Sequence, residues 1–293
     1  MIVNHLKVLA NLNSSESRFP QDGSFYFQTS STVRWIRIST MPVFSGEKVV
    51  LRLPKENFVP NFLDLGFNDF SKKSIKSVLN RTSGMVLVIG ATGSGKTTTL
   101  YSMMQELAKR NLSLVSVENP VEINLAGVDQ TSIKPEIGFD YSQALKSLLR
   151  QDPDVILIGE IRDLADANIA LQAAQSGHLV LAAIHAGSVL GGIERLQQLG
   201  LNQKSLLSVL NLAVFQQLIS WKGDILGEVK QQLLSETLLL DAKIREQIAS
   251  QEISANNIHL RSRNYRSHRS ELKNLLKQGL IDHSQFERYY SLN

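Results

Sequence analysis

With 293 residues, 43% of them hydrophobic and 20% charged, the chain has material for a substantial core and for two domains rather than one. A net charge of +4 and a sequence pI near 9.2 are too mild to argue for nucleic acid by themselves. Without cysteine there are no disulfides, thiolate zinc sites or cysteine nucleophiles, and no apolar run approaches the ~18 residues of a membrane span, so any membrane role is peripheral and a cytosolic chain is expected.

Residues 1–78 read as a mixed α+β N-terminal domain and linker. A helical opening over Leu6 to Leu12 leads to a turn-prone stretch, Arg18 to Gly23. Val33 to Ser39 alternates apolar and polar side chains, and Lys48 to Leu53 does so less strictly. Pro42 and Ser45–Gly46 mark a turn between them, which predicts an antiparallel hairpin. Lys55 to Ser71, rich in polar residues and flanked by Pro54, reads as a linker.

Residues 79–222 alternate strand and helix. Met85 to Ile89 is a buried strand that runs into Gly90, Ala91, Thr92, Gly93, Ser94, Gly95, Lys96 and Thr97, followed by Thr98. Leu100, Met103, Met104 and Leu107 then recur at helical spacing. A glycine-rich loop between a strand and a helix is the context of a P-loop. Glycines let backbone amides curl around a polyphosphate, the helix N-terminus adds unpaired donors, and Lys96 reaches the β- and γ-phosphates while the Thr97 hydroxyl ligates Mg²⁺. The chain is expected to bind ATP.

Further strands are predicted over Leu112 to Val117, Val155 to Ile158 and Leu179 to Ile184. Helices are predicted from Tyr141, with Asp140 as N-cap, and over Ala165 to Ser176, with Gly177 as C-cap. The pattern is an α/β fold, a doubly wound and mostly parallel RecA-like sheet with its ligand at the strand C-termini. Residues 223–293 add one strand, Leu233 to Leu240, and helical segments including Glu271 to Leu280. The basic run Arg261 to Arg269 reads as a solvated surface segment, with a nucleic-acid or lipid contact as the alternative.

ATP hydrolysis needs an acid for the magnesium shell, a residue that activates water and positive charge on the γ-phosphate. Glu160 follows the strand ending at Ile158, where a Walker-B acid belongs, and Glu118 and Glu122 follow the strand ending at Val117. All three are expected to point into the crevice. His178 and His185 bracket the next strand, and each reads either as a packed histidine or as a phosphate contact. Arg150 and Arg162 flank the Walker-B strand, suited to phosphate or to a surface ion pair.

In this order the motifs resemble the secretion ATPases of type II secretion and type IV pilus systems, the GspE, PilB and PilT group. The matching blocks are Arg18 to Gly23, Arg37 to Pro42 with Gly46 to Arg52, the Walker A from Gly90 to Thr98, Val117 to Glu122, Asp152 to Asp163, and Gly177–His178 with His185 and Arg195. They span about residues 5–220. The resemblance implies that Glu122 is the general base and that Glu160 holds Mg²⁺ through water. It implies that Arg37 and Arg52 contact the γ-phosphate, that Glu118 lies at the nucleotide, and that His178 and His185 link nucleotide state to domain position. It also implies a homo-oligomer, a hexamer, that is cytoplasmic and peripherally associated with the membrane through a polytopic platform protein. Nucleic acid is not an expected direct partner.

The chain departs from the family at Asn119, where aspartate is usual, at Ala186, and at Phe215 to Leu218, where an arginine-rich segment is usual. It also lacks the four-cysteine zinc element, and the point matching Met1 falls inside the family's first domain, so a shortened first domain is expected. The wording Gly46–Glu–Lys–Val–Val50 and the missing zinc element are closest to the competence pilus ATPase of Gram-positive bacteria (ComGA). The implied function is a hexameric ATPase motor for pilus or pseudopilus assembly in DNA uptake or secretion. A PilT-like retraction ATPase and a nucleotide-binding scaffold without turnover stand beside it.

Overall fold

A computed structural model describes residues 2–28, 33–53, 59–134, 137–222, 229–250 and 264–290. These residues form two compact units, 1–58 with 122–124, and 59–121 with 125–293. In the first unit, helix α1 (Ile2–Leu9) precedes strands β1 (Gln21–Gln28), β2 (Val33–Val43) and β3 (Gly46–Arg52), which pair antiparallel in the order β1-β2-β3. Alternation along β2 sends Ile36 and Ile38 inward onto Phe25 and Ala10. Lys7 of α1 is fully buried, which its ion pair with Glu47 and a bond of 2.7 Å to the Glu16 carbonyl make tolerable.

The hairpin forms with its bend at Phe44–Ser45, while Pro42 lies inside β2 opposite Glu47. Proline fits there because β1 ends opposite Thr40, so no partner on that side asks for its missing N–H. The stretch read as turn-prone contributes the start of β1, because pairing with β2 satisfies its backbone groups whatever the local preference. Part of the expected linker, residues 55–58, lies outside the described residues, and its far end includes the start of a helix. Asn68 caps helix α2 (Asp69–Val78) by accepting from the Ser71 amide.

The second unit holds an eight-stranded sheet among the described residues. In chain order its elements are β4 (Gly84–Ile89), α3 (Lys96–Leu107), β5 (Leu114–Glu118), β6 (Asp129–Ser132), α4 (Tyr141–Leu148), β7 (Val155–Ile158) and α5 (Leu164–Gln175). Then come β8 (Leu179–Ile184), α6 (Val189–Gln198), α7 (Gln203–Val209), β9 (Leu210–Lys222) and β10 (Val229–Leu239). The chain continues through α8 (Ala242–Ala249), β11 (Tyr265–Arg266), α9 (His268–Lys277) and α10 (His283–Tyr290). The strand order is β11-β10-β9-β4-β8-β7-β5-β6. Pairing is parallel from β9 through β6, while β10 and β11 turn antiparallel at one margin.

Strands β4, β7 and β8 are buried at every position, as a parallel sheet covered on both faces requires. Met85, Leu87 and Ile89 pack with α4 to α8 in one large apolar cluster, and α2 and α3 lie against the sheet from the other side. This is the doubly wound α/β fold expected. The predicted strand Leu233 to Leu240 is longer and joins this same sheet, where β10 pairs with β9. Of the basic run, residues 261–263 lie outside the described residues, while Arg266 ends β11 and Arg269 sits in α9.

Candidate functional site

The fully buried strand β4 delivers the chain to Gly90 at the C-terminal edge of the sheet. Gly90 has φ +156°, and a Cβ there would lie 2.4 Å from both the Gln216 carbonyl oxygen and Ser94 Oγ. Gly93 (φ +79°) and Gly95 (φ +88°) complete the left-handed bends that curl the loop before α3 begins at Lys96. Gly95 caps α3 without a side chain, so the first-turn amides keep donors free for an anion. Lys96 Nζ donates to the Gly90 carbonyl at 2.8 Å and to the Ala91 carbonyl at 2.9 Å, which holds its ammonium across the loop. Burial pushes its pKa down, and the charge of Glu160 partly offsets that.

Beneath the loop, Gln216 of β9 is only 1% exposed and donates from Nε2 to the Ser94 carbonyl at 2.7 Å. Among the described residues its Oε1 and the buried Ser94 Oγ have no hydrogen-bond partner. The Ser94 hydroxyl, the curled amides and the Lys96 ammonium are donors, the set a polyphosphate accepts from. The sequence did not flag Gln216 as a site residue. Its only signal was the position in the segment that departs from the arginine-rich pattern.

The next strands bring the acids. Glu160, two residues past β7, faces His185 Nε2 at 3.2 Å and Arg162 Nε at 3.6 Å, and its charge reaches Lys96. Among the described residues no group of three histidines or carboxylates could hold a metal ion. A magnesium here would take most of its ligands from phosphate oxygens and water, which suits that ion. Asp163, inside the same motif, accepts from the Asp166 amide at 2.9 Å and caps α5.

Glu118 differs from its expected place. It is 3% exposed, and its carboxylate accepts from Tyr101 Oη, Ser116 Oγ at 2.7 Å and Gln130 Nε2 at 3.2 Å, so donors on several sides hold it inside the sheet. Tyr141, which the sequence offered only as a helix start, lies beside Gly159. Burial, with Glu160, Asp166 and Glu118 nearby, pushes its phenol well above the usual range and keeps it a proton donor.

His178 stands at the far end of β8 from His185, as their bracketing of that strand predicts. It precedes β8, where its carbonyl accepts from the Gly84 amide at 3.1 Å, and its Nδ1 lies 2.9 Å from the Ala173 carbonyl. That is the N-terminal edge of the sheet. At about 3.3 Å per residue it stands roughly 20 Å from the phosphate loop of its own chain. Arg150 lies at that same edge, before β7, exposed and 3.3 Å from Ser147 Oγ.

In the first unit, Arg37 and Arg52 are direct cross-strand partners on the face of β2 and β3 opposite Ile36 and Ile38. Burial and the charge of Arg52 lower the pKa of Arg37, and the carboxylate of Glu122 works the other way. The structure thus places Glu122 with the arginine pair, and Glu160 with Lys96 and His185.

A family model described as type II/IV secretion system protein matches residues 1–288. Over 219 residues the chain is 42% identical to a type II secretion system protein E of Xanthomonas campestris, covering 74% of this chain and 39% of that one. Over 215 residues it is 42% identical to the type IV pilus assembly ATPase PilB of Pseudomonas aeruginosa, covering 73% of this chain and 38% of that one. The chain thus spans about two fifths of the length of these relatives. A solved structure of the pilus retraction motor PilT with ADP superposes with a TM-score of 0.76 at 27% identity, covering 90% of this chain and 76% of that one.

Proposed function

Since this chain belongs to the type II/IV secretion system protein family, we propose that it binds ATP with Mg²⁺ at the glycine loop and hydrolyses it to power assembly of a pilus or secretion filament. The carrying observation is the meeting of Lys96, Glu160 and His185 at the mouth of a loop whose curvature and amide donors suit a polyphosphate. Bound magnesium would neutralise charge on the transferred phosphoryl group.

The loop amides and Lys96 hold the β- and γ-phosphates. Thr97 and, through water, Glu160 would hold the metal, and Glu122 takes the proton from the attacking water. Arg37 and Arg52 supply positive charge to the γ-phosphate, a role their shared face supports. Glu118 positions α3 and β5 from inside, through Tyr101 and Ser116, rather than touching nucleotide. His185 reads the state of Glu160.

The working form is a hexamer, peripheral to the cytoplasmic membrane, that passes its motion to a polytopic platform protein. Among the described residues no helix is long and apolar enough to cross a membrane. Identity of 42% to an assembly ATPase supports an assembly role. The cysteine-free sequence and its Gly46–Glu–Lys–Val–Val50 wording support the competence branch, with DNA uptake as the outcome.

Steady-state phosphate release tests this. Turnover in the parent chain that falls by about 10²–10⁴-fold in Glu122→Gln, with ATP affinity kept, is expected. ATP binding without turnover in the parent chain would overturn the enzyme in favour of the scaffold.

A further inference from the structure

The opposite edge of the core sheet carries a second concentration of positive charge. Arg81 lies in the loop before β4, and Arg245 projects from α8. Both guanidiniums donate to one atom, Asn211 Oδ1, at 2.8 Å and 3.1 Å. Asn211 is buried at the start of β9 and is fixed by its own donation to the Ser83 carbonyl at 3.0 Å. Two like charges are thereby pinned side by side, an arrangement that costs free energy unless something negative joins them.

Among the described residues no carboxylate lies within ion-pair distance of either arginine. Asp241 is the acid whose field reaches Arg245, and it is already engaged, capping α8 at the Ile244 amide and accepting from Asn264. Arg245 Nε is buried and has no hydrogen-bond partner among the described residues, while its Nη2 also donates to the Leu210 carbonyl at 3.0 Å. Burial and the neighbouring Arg81 charge together pull the Arg245 pKa down. The C-terminal ends of α5 and α7 also face this place, but each contributes only about half a negative charge against two full positive ones.

The arginines do not close on each other. They border a cleft of about 710 Å³ that Thr82, Ser83 and Ser208 also line. Two guanidiniums and several hydroxyls around an open polar volume supply donors in number, with the guanidiniums its only charged groups among the lining residues. Guanidiniums from two elements supply more N–H groups than one planar carboxylate accepts, and a tetrahedral oxyanion with several free oxygens suits them better.

We infer that this cleft is an anion site that binds a phosphate group, free or carried by a small phosphorylated ligand, between Arg81 and Arg245. It lies about 20 Å from the glycine loop, at the other end of β4, and is separate from the nucleotide site.

The test follows the Nε–Hε resonance of Arg245 in the full ¹⁵N-labelled chain, assigned with Arg245→Lys, as inorganic phosphate is added at constant ionic strength. A saturable shift at millimolar phosphate is expected. Arg81→Ala, at an exposed position that the fold does not need, should weaken that binding at least about tenfold. Glycerol phosphate serves as a second probe. Tighter binding than inorganic phosphate identifies a phosphorylated ligand, and equal binding identifies the free ion. A resonance that does not move, that moves equally with chloride, that tracks protein concentration instead of phosphate, or whose phosphate affinity survives Arg81→Ala overturns the proposal.

Discussion

The two ends of strand β4 are built alike and used differently. Each begins or ends with a glycine pressed against β9, Gly84 against Asn211 and Gly90 against Gln216. In each case the β9 amide side chain organises the loop beyond, Asn211 by gathering two arginines and Gln216 by holding the Ser94 carbonyl. At the C-terminal edge the positive charge comes from loop amides, a helix N-terminus and one lysine, and Glu160 opposes it. At the N-terminal edge it comes from guanidiniums with no carboxylate in ion-pair distance among the described residues. The lesson is that a parallel sheet makes its strand C-termini a phosphate site through backbone geometry, whereas the same charge at the other edge must be supplied by side chains.

The largest way to break this comparison is to add one methyl group at either end. Gly84→Ala would place a Cβ 1.9 Å from Asn211 Nδ2 at φ +113°, and Gly90→Ala would meet the Gln216 carbonyl at 2.4 Å at φ +156°. Each should lower stability by about 2–6 kcal/mol from strain and overpacking combined. Urea denaturation reads that loss in both, and only the Gly90 variant should also lose nucleotide binding where it remains folded.

Next comes Lys96→Ala. It should weaken nucleotide binding about 10²–10³-fold in calorimetry while changing the melting temperature of the free chain only slightly, since the two loop carbonyls it gives up can turn to water and no core packing is lost. A small effect would mean that the amides alone hold the phosphates.

Raising pH separates the edges without a substitution. Burial lowers Lys96 below its ordinary 10.5, so it loses its proton before a free lysine does. Nucleotide affinity should fall by about tenfold per pH unit above that depressed pKa, while arginines stay charged. The stability contribution of Lys96 has the opposite sign. Between the depressed pKa and 10.5 the unfolded chain still holds the proton that the folded chain has released, so this contribution rises with pH. Affinity that is flat across this range would contradict the lysine's assigned part.

The smallest effect belongs to Asp163→Ala. Its carboxylate caps α5, and losing that cap should cost about 1 kcal/mol in thermal unfolding with nucleotide affinity unchanged. A motif residue would then be shown to act through the fold alone.

Much of this was readable in the chain. The strand β7 follows Val155 to Ile158 residue for residue, because four consecutive apolar residues between polar flanks have no other use in an α/β sheet. Asp140 was readable as a cap because its chemistry is local. Strand β6, Asp129–Ser132, was not readable, since its polar run pairs with β5 at the sheet margin and carries no apolar signal. Strand β9 was missed for the reverse reason. Its apolar run is preceded directly by α7, with no turn residue to mark the change of period.

The same division holds for the site. Spacing placed the glycines, Lys96 and Glu160, because a phosphate loop is made by contiguous backbone and its acid follows a recognisable strand. Sequence did not decide that Glu118 turns inward while Glu160 turns out, since that depends on Tyr101 and Gln130 arriving from other elements. Spacing set His178 and His185 at the two ends of one strand, but it did not decide what each meets there, the Ala173 carbonyl for His178 and Glu160 for His185. Local backbone chemistry is written in consecutive residues. Which side chains meet across strands depends on sheet order and register, and only the packed fold settles those.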